Sequence, residues 1–194
     1  MNKVTTPVSL LVLLSVVLCG CATGDPHFAR TRSSEANVYM APNPPHVEKV
    51  AIMPFKAPTE LIGSAVSDLF VTEMLRAGRY TIVERSQMAQ VLNEAELGLA
   101  GLSDRQAIEM GAMMGADAVI VGTVSEYGAS AQRGRTWPVV GISTRLVDCD
   151  TGRVVWSVDL AQKAKRRDAI LSQHARAVVH QMCSALYKEW RRAR

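Results

Sequence analysis

Residues Ala118 to Val124 read Ala-Val-Ile-Val-Gly-Thr-Val, a run without a charge. Apolar side chains at successive positions suit a strand buried on both faces, as in a sheet covered by helices. Downstream, Val139–Asp148 and Val154–Leu160 are two more strand-like runs. Cys149-Asp150-Thr151-Gly152-Arg153 joins them as a turn whose glycine accepts positive φ. Val154, Trp156, Val158 and Leu160 share one face of the second run. This hairpin predicts that the later part of the sheet is antiparallel. Gly128 to Pro138 (GASAQRGRTWP) reads as an interruption of the strand pattern.

Upstream, Lys49 to Phe55 (KVAIMPF) is a short buried strand stopped by Pro54. Val66, Leu69, Phe70, Met74 and Ala77 recur at helical spacing, and Gly78 supplies the stop. Tyr80 to Glu84 (YTIVE) alternates as a strand. Ser86 then offers an N-cap for a helix carrying Met88, Val91, Leu92 and Leu97. Ser103 and Gln106 form a capping box ahead of a third helix that Gly115 ends. Asp168 is placed to cap a last helix whose buried stripe is Leu171, Ala175, Val178, Val179, Met182 and Leu186. The expected fold is a single-domain α/β sandwich of order βαβααβββα, with a mixed sheet of about five strands and helices packed on it.

The N-terminal segment has a different character. Val8 to Leu18 is an apolar core preceded by Lys3, of signal-peptide length and too short to span a bilayer. Leu18-Cys19-Gly20-Cys21 resembles the lipobox of bacterial lipoproteins, which implies cleavage between Gly20 and Cys21 and acylation of Cys21. Ala22 after the cysteine, rather than Asp, implies sorting to the outer membrane with the protein facing the periplasm. Residues 1–20 are thus expected to be a signal peptide and 21–47 a lipidated, Pro-interrupted tether. Residues 48–194 are expected to form the periplasmic domain.

Of 194 residues, 22 are basic and 18 acidic. Loss of residues 1–20 would remove only Lys3, so the mature chain is mildly basic, which gives no support to a general nucleic-acid partner. No catalytic constellation emerges. His27 and His46 lie in the tether; His174 and His180 lie six apart on one helix, off a common metal-binding face. The glycines form neither a dinucleotide fingerprint nor a Walker loop. No metal or cofactor is expected, and Cys149 and Cys183 read as small apolar residues. Two basic features remain. Arg133 and Arg135 share a loop with Trp137, a pairing suited to a membrane headgroup or a neighbouring subunit; Trp137 packing under its own loop explains it equally. Lys163, Lys165, Arg166 and Arg167 precede the last helix as a candidate contact for an anionic partner. Trp190 and the arginines of Lys188 to Arg194 suit a helix C-terminus, and Trp156 reads as core.

From Val50 to Tyr127 the pieces GRYTIVERSQ, GLAGLSD and GADAVIVGTV, followed by DCDTGRVVWS, resemble the curli production and transport (CsgG/HfaB-like) lipoprotein family. The resemblance implies a lipid-anchored, non-enzymatic outer-membrane protein that forms homo-oligomeric rings and serves export of extracellular fibres or polymers. Pore-forming members insert two β-hairpins, and a spanning strand needs about 9 to 11 residues. Gly128 to Pro138 is too short and polar for that, and Lys163 to Arg167 passes directly into a helix. No barrel is expected from this chain. The shortened pattern is similar to the lipoprotein of the Pel exopolysaccharide export system and to lipoprotein activators of peptidoglycan synthases. An export pore and a peptidoglycan synthase are therefore the two candidate partners.

Overall fold

The computed structural model describes residues 35–83, 103–132 and 134–192. Its strands are β1 (Asn37–Met40), β2 (Lys49–Ile52), β3 (Thr81–Val83), β4 (Ala118–Gln132), β5 (Arg135–Asp148) and β6 (Val154–Lys163). The helices are α1 (Glu60–Ala77), α2 (Asp104–Met113) and α3 (Leu171–Arg192). The helix expected near Ser86 lies outside the described residues.

One mixed sheet runs β1-β6-β5-β4-β2-β3. β2 pairs in parallel with β3 and β4, whereas β4, β5, β6 and β1 form an antiparallel ladder. The period of two along β2 and β4 sends alternate residues into two cores. Val50, Ile52, Ala118 and Ile120 meet α1 and α3 through Val66, Phe70, Met74, Val178, Met182 and Leu186. Ala51, Met53, Val119 and Val121 meet α2 through Ala107 and Met110. The α/β sandwich is thus observed, and both faces of β4 are covered as its unbroken apolar run requires.

The caps agree with the sequence at two helices. Ser103 Oγ accepts from the Gln106 amide at 3.3 Å and Gln106 Oε1 accepts from the Ser103 amide at 2.9 Å. Gly78 closes α1 in the left-handed conformation. At α3 the expectation fails. That helix begins at Leu171, and both Asp168 carboxylate oxygens are held by Arg166 instead.

Two further differences matter. The sheet has six strands rather than about five, because Asn37–Met40, read as tether, pairs with β6 from Asn37↔Asp159 to Met40↔Trp156. Four residues on a sheet edge carry too little periodicity to stand out from a proline-interrupted segment. The supposed interruption at Gly128 to Pro138 is a continuation of β4 and β5, paired from Gly128↔Val139 to Gln132↔Arg135. Gly134, at φ 70, makes the reversal. Small residues on one strand and a proline on the other hide the alternation. Pro138 is tolerated because β6 pairing stops at Val139↔Lys163, so β5 is already an edge strand there.

Candidate functional site: a basic tip around Trp137

The last pairs of β4 and β5 project beyond β6 by four residues of β5, about 13 Å. The chain leaving β6 folds back against this arm, and the Ala164 amide donates to the Pro138 carbonyl at 2.8 Å. That bond draws the two basic features of the sequence together. Gly134, Arg135, Thr136 and Trp137 of the arm and Lys165, Arg166, Arg167 and Asp168 of the connection surround one open cavity of about 720 Å³. Lys163, the last residue of β6, sets its ammonium 4.6 Å from the centre of the Trp137 ring. Trp137 is partly exposed, with the Lys163 ammonium over its ring. Arg133 lies outside the described residues.

Charge at the tip is not uniform. Arg166 grips Asp168 in a two-pronged pair, Nε to Oδ1 at 3.0 Å and a terminal nitrogen to Oδ2 at 2.6 Å. The hydrogen bond and charge of Arg166 hold the Asp168 carboxyl below its ordinary range, and Asp168 raises Arg166 in turn. Arg135, Lys165 and Arg167 remain as exposed cations around a single acid. Such a surface offers a partly exposed indole and several donors to phosphate or carboxylate groups.

The remaining candidates have structural roles. His174 is buried, with Nε2 2.9 Å from the Gln162 carbonyl; His180 Nδ1 lies 3.1 Å from Glu73 Oε2. Among the described residues no group of three or more His, Cys, Asp or Glu could hold a metal ion, and no helix is long and apolar enough to cross a membrane. Cys149 and Cys183 are unbonded, and Cys183 is fully buried. Burial, reinforced by Asp148, pushes the Cys149 thiol up to about 11, and burial raises Cys183 further, so neither is a ready thiolate. Trp156 is buried and donates its indole N–H to the Tyr80 hydroxyl at 3.3 Å. Trp190 packs edge-on against both Tyr80 and Trp156, with centroids at 5.6 and 6.3 Å. Arg79, which covers Trp190 at 4.8 Å, had no motif to mark it, and Asp168 was marked only as a cap.

The family model described as curli production assembly/transport component CsgG matches residues 48–178. No curated protein matches the chain. Among solved structures, the chain is similar to the PelC dodecamer from Paraburkholderia phytofirmans, with TM-score 0.55 and 23% identity over 78% of this chain and 95% of that one. It is also similar to lipoprotein GNA1162 from Neisseria meningitidis, with TM-score 0.49 and 21% identity over 75% and 99% of the two chains. The LpoB C-terminal domain from Escherichia coli follows at TM-score 0.43 and 18% identity, over 60% and 83%. The PelC likeness supports the fold.

Proposed function

Since this chain belongs to the CsgG family, we propose that it is a non-enzymatic lipoprotein held at the periplasmic face of the outer membrane, forming a ring that assists export of an extracellular fibre or polysaccharide. Signal peptidase cuts between Gly20 and Cys21, and acyl chains on Cys21 anchor the mature protein. The tip is then the membrane-facing or subunit-facing surface: Arg133, Arg135 and Trp137 supply the interfacial contact, with Lys163, Lys165, Arg166 and Arg167 set toward anionic headgroups. The observation that carries this reading is the convergence of these two basic segments on one partly exposed tryptophan.

The direction of β1 supports the same orientation. β6 runs toward the tip, β1 runs antiparallel to it, and Asn37 is therefore the tipward end of β1. The chain therefore enters β1 at its tipward end. Ring formation has a counterpart in the similar PelC structure, which is a dodecamer. The competing reading is a monomeric regulator that docks on a peptidoglycan synthase.

The test is the absolute mass, by light scattering, of the acylated protein extracted from membranes, beside a soluble Ala22 to Arg194 chain. A closed oligomer in the acylated sample supports the collar. Monomers in both samples reject it and favour the regulator. Palmitate incorporation lost in Cys21→Ser, with the signal segment left uncut, checks the anchor.

A further inference from the structure

At the pole opposite the tip, a groove of about 970 Å³ opens between the ends of α1 and α3. The two poles are separated along β6: Lys163 borders the tip, while Trp156, seven residues earlier and about 23 Å away, packs against Trp190 beside the groove. Apolar lining comes from Pro45 and Val47 on the entering chain, from Ala77, and from the rings of Tyr187 and Trp190. Arg76, Arg79, Arg191, His46 and His180 add basic groups to the same lining.

The groove's own acid is already engaged. Glu73 is 6% exposed, and its two oxygens are taken by Arg76 at 2.7 Å and His180 at 3.1 Å. Arg79 lies over Trp190 and Tyr80, its Nε donating to the Tyr80 hydroxyl at 3.4 Å. Stacking holds that guanidinium in place with no further partner among the described residues. Arg191 has no ion-pair partner among them. The surplus charge is positive, and an occupant must supply anionic groups.

Which occupant follows from the aromatic surface. A sugar ring or a nucleobase seeks an open aromatic face, and Arg79 already covers Trp190, which is 7% exposed. A second copy of this chain is less suited: Asp104, Glu109, Asp168 and Glu189 are each paired with an arginine of their own chain, and the exposed Glu60, Glu126 and Asp150 sit at a helix start, in a paired strand and in a tight turn rather than on a free extended segment. Apolar walls with basic groups among them suit an extended segment that alternates apolar side chains with carboxylates. We infer that this groove binds an acidic, apolar-flanked peptide segment of another periplasmic protein. The side from which that partner arrives rests on the orientation proposed above; the binding chemistry does not.

The experiment is fluorescence anisotropy with the acylated full chain in detergent. The probe is a fluorescein-labelled twelve-residue peptide of repeated Glu-Leu-Glu-Pro, and the control carries Lys in place of Glu. Saturable binding of the acidic probe alone is expected, weakened about tenfold by Arg191→Glu. Arg79→Gln should weaken it as well, and Arg167→Gln, at the tip, should leave it unchanged; melting temperatures confirm folding of all three. Binding indifferent to Arg191→Glu and Arg79→Gln overturns the inference. So does displacement of the probe by hyaluronan at equal carboxylate concentration, which assigns the groove to anionic glycans. Dissociation of an oligomer by the probe also overturns it, since the groove is then a subunit contact. Vesicle flotation of the unaltered chain separates the two readings: failure of that chain to bind the probe with flotation retained counts against the groove alone.

Discussion

Replacing Asp168 by Asn should tighten the hold of this protein on an anionic bilayer, although nothing is added that touches lipid. Asp168 is the single acid among the tip residues, and it occupies both a side and a terminal nitrogen of Arg166. The carboxamide keeps the size of the residue, and a solvent-exposed pair such as Arg166–Asp168 contributes little to folding, so stability should be nearly unmoved. Charge is what changes. Each cation close to an anionic surface is worth about fivefold in binding, within a Debye length of about 8 Å at physiological salt. Among the described residues of the tip, Arg135, Lys163, Lys165, Arg166 and Arg167 against Asp168 give four net positive charges. Asp168→Asn makes five and should strengthen partitioning about fivefold. Replacing Lys165, Arg166 and Arg167 together by Gln leaves one and should weaken it about a hundredfold. The assay is flotation of the soluble Ala22 to Arg194 chain, free of the acyl contribution, with vesicles containing phosphatidylglycerol. High salt should compress both differences. Weaker binding by Asp168→Asn, or a triple variant within threefold of the unaltered chain, would refute the charge argument at the tip.

Three other expectations concern the scaffold. Gly63→Ala should destabilise α1 by about 1 to 2 kcal/mol in a urea melt, against the gain of about 1 kcal/mol usual for this exchange in a helix. A Cβ there would lie 2.0 Å from the Phe55 carbonyl oxygen, and a more stable variant would show that the close approach is wrong. Thr144→Val should raise stability by about 1 kcal/mol, because the Thr144 hydroxyl is buried without a hydrogen-bond partner among the described residues and the shape is conserved; a loss would reveal a further partner. The Asp117 carboxylate accepts from the Glu48 and Lys49 amides at 2.9 and 2.8 Å, which lowers its pKa below 3.8. Its contribution is therefore complete above 3.8 and is lost as pH falls through the lowered value, so the stability gap to Asp117→Asn should persist at pH 5 and close only in stronger acid.

How much of this was legible in the chain depended on how local each cause is. Caps need three or four residues in one stretch, and Ser103 with Gln106 or Gly78 could be read directly. The unbroken apolar run of β4 reported that both of its faces are covered. Asn37–Met40 could not be read the same way, since its reason for being extended is the edge of β6, more than a hundred residues away. The tip was half legible. Its residue types stood out, but the Ala164 to Pro138 bond that unites arm and connection depends on register, and a hairpin of Gly, Ala, Ser and Pro gives register no hydrophobic signature. The same reliance on tertiary contact turned Asp168 from an expected cap into the partner of Arg166.

Tether length does not choose which pole faces the bilayer. From Cys21 to Asn37 the chain can extend by about 55 Å. Asn37 stands opposite Asp159, four residues short of Lys163, and the arm projects four more, so the tip lies about 26 Å further on. The groove lies closer still, and it too carries arginines. Aromatic exposure separates the poles. An interfacial tryptophan must present its ring outward, and Trp137 is partly exposed beside Lys163, whereas Trp190 is sealed between Arg79 and the core. Cations over a buried ring attract a bilayer only through charge, while the tip adds the indole. Vesicle affinity should therefore follow Trp137 and the tip charges and remain indifferent to Arg191→Glu. The reverse pattern would invert the protein on the membrane and leave the Trp137 arm as the contact between subunits.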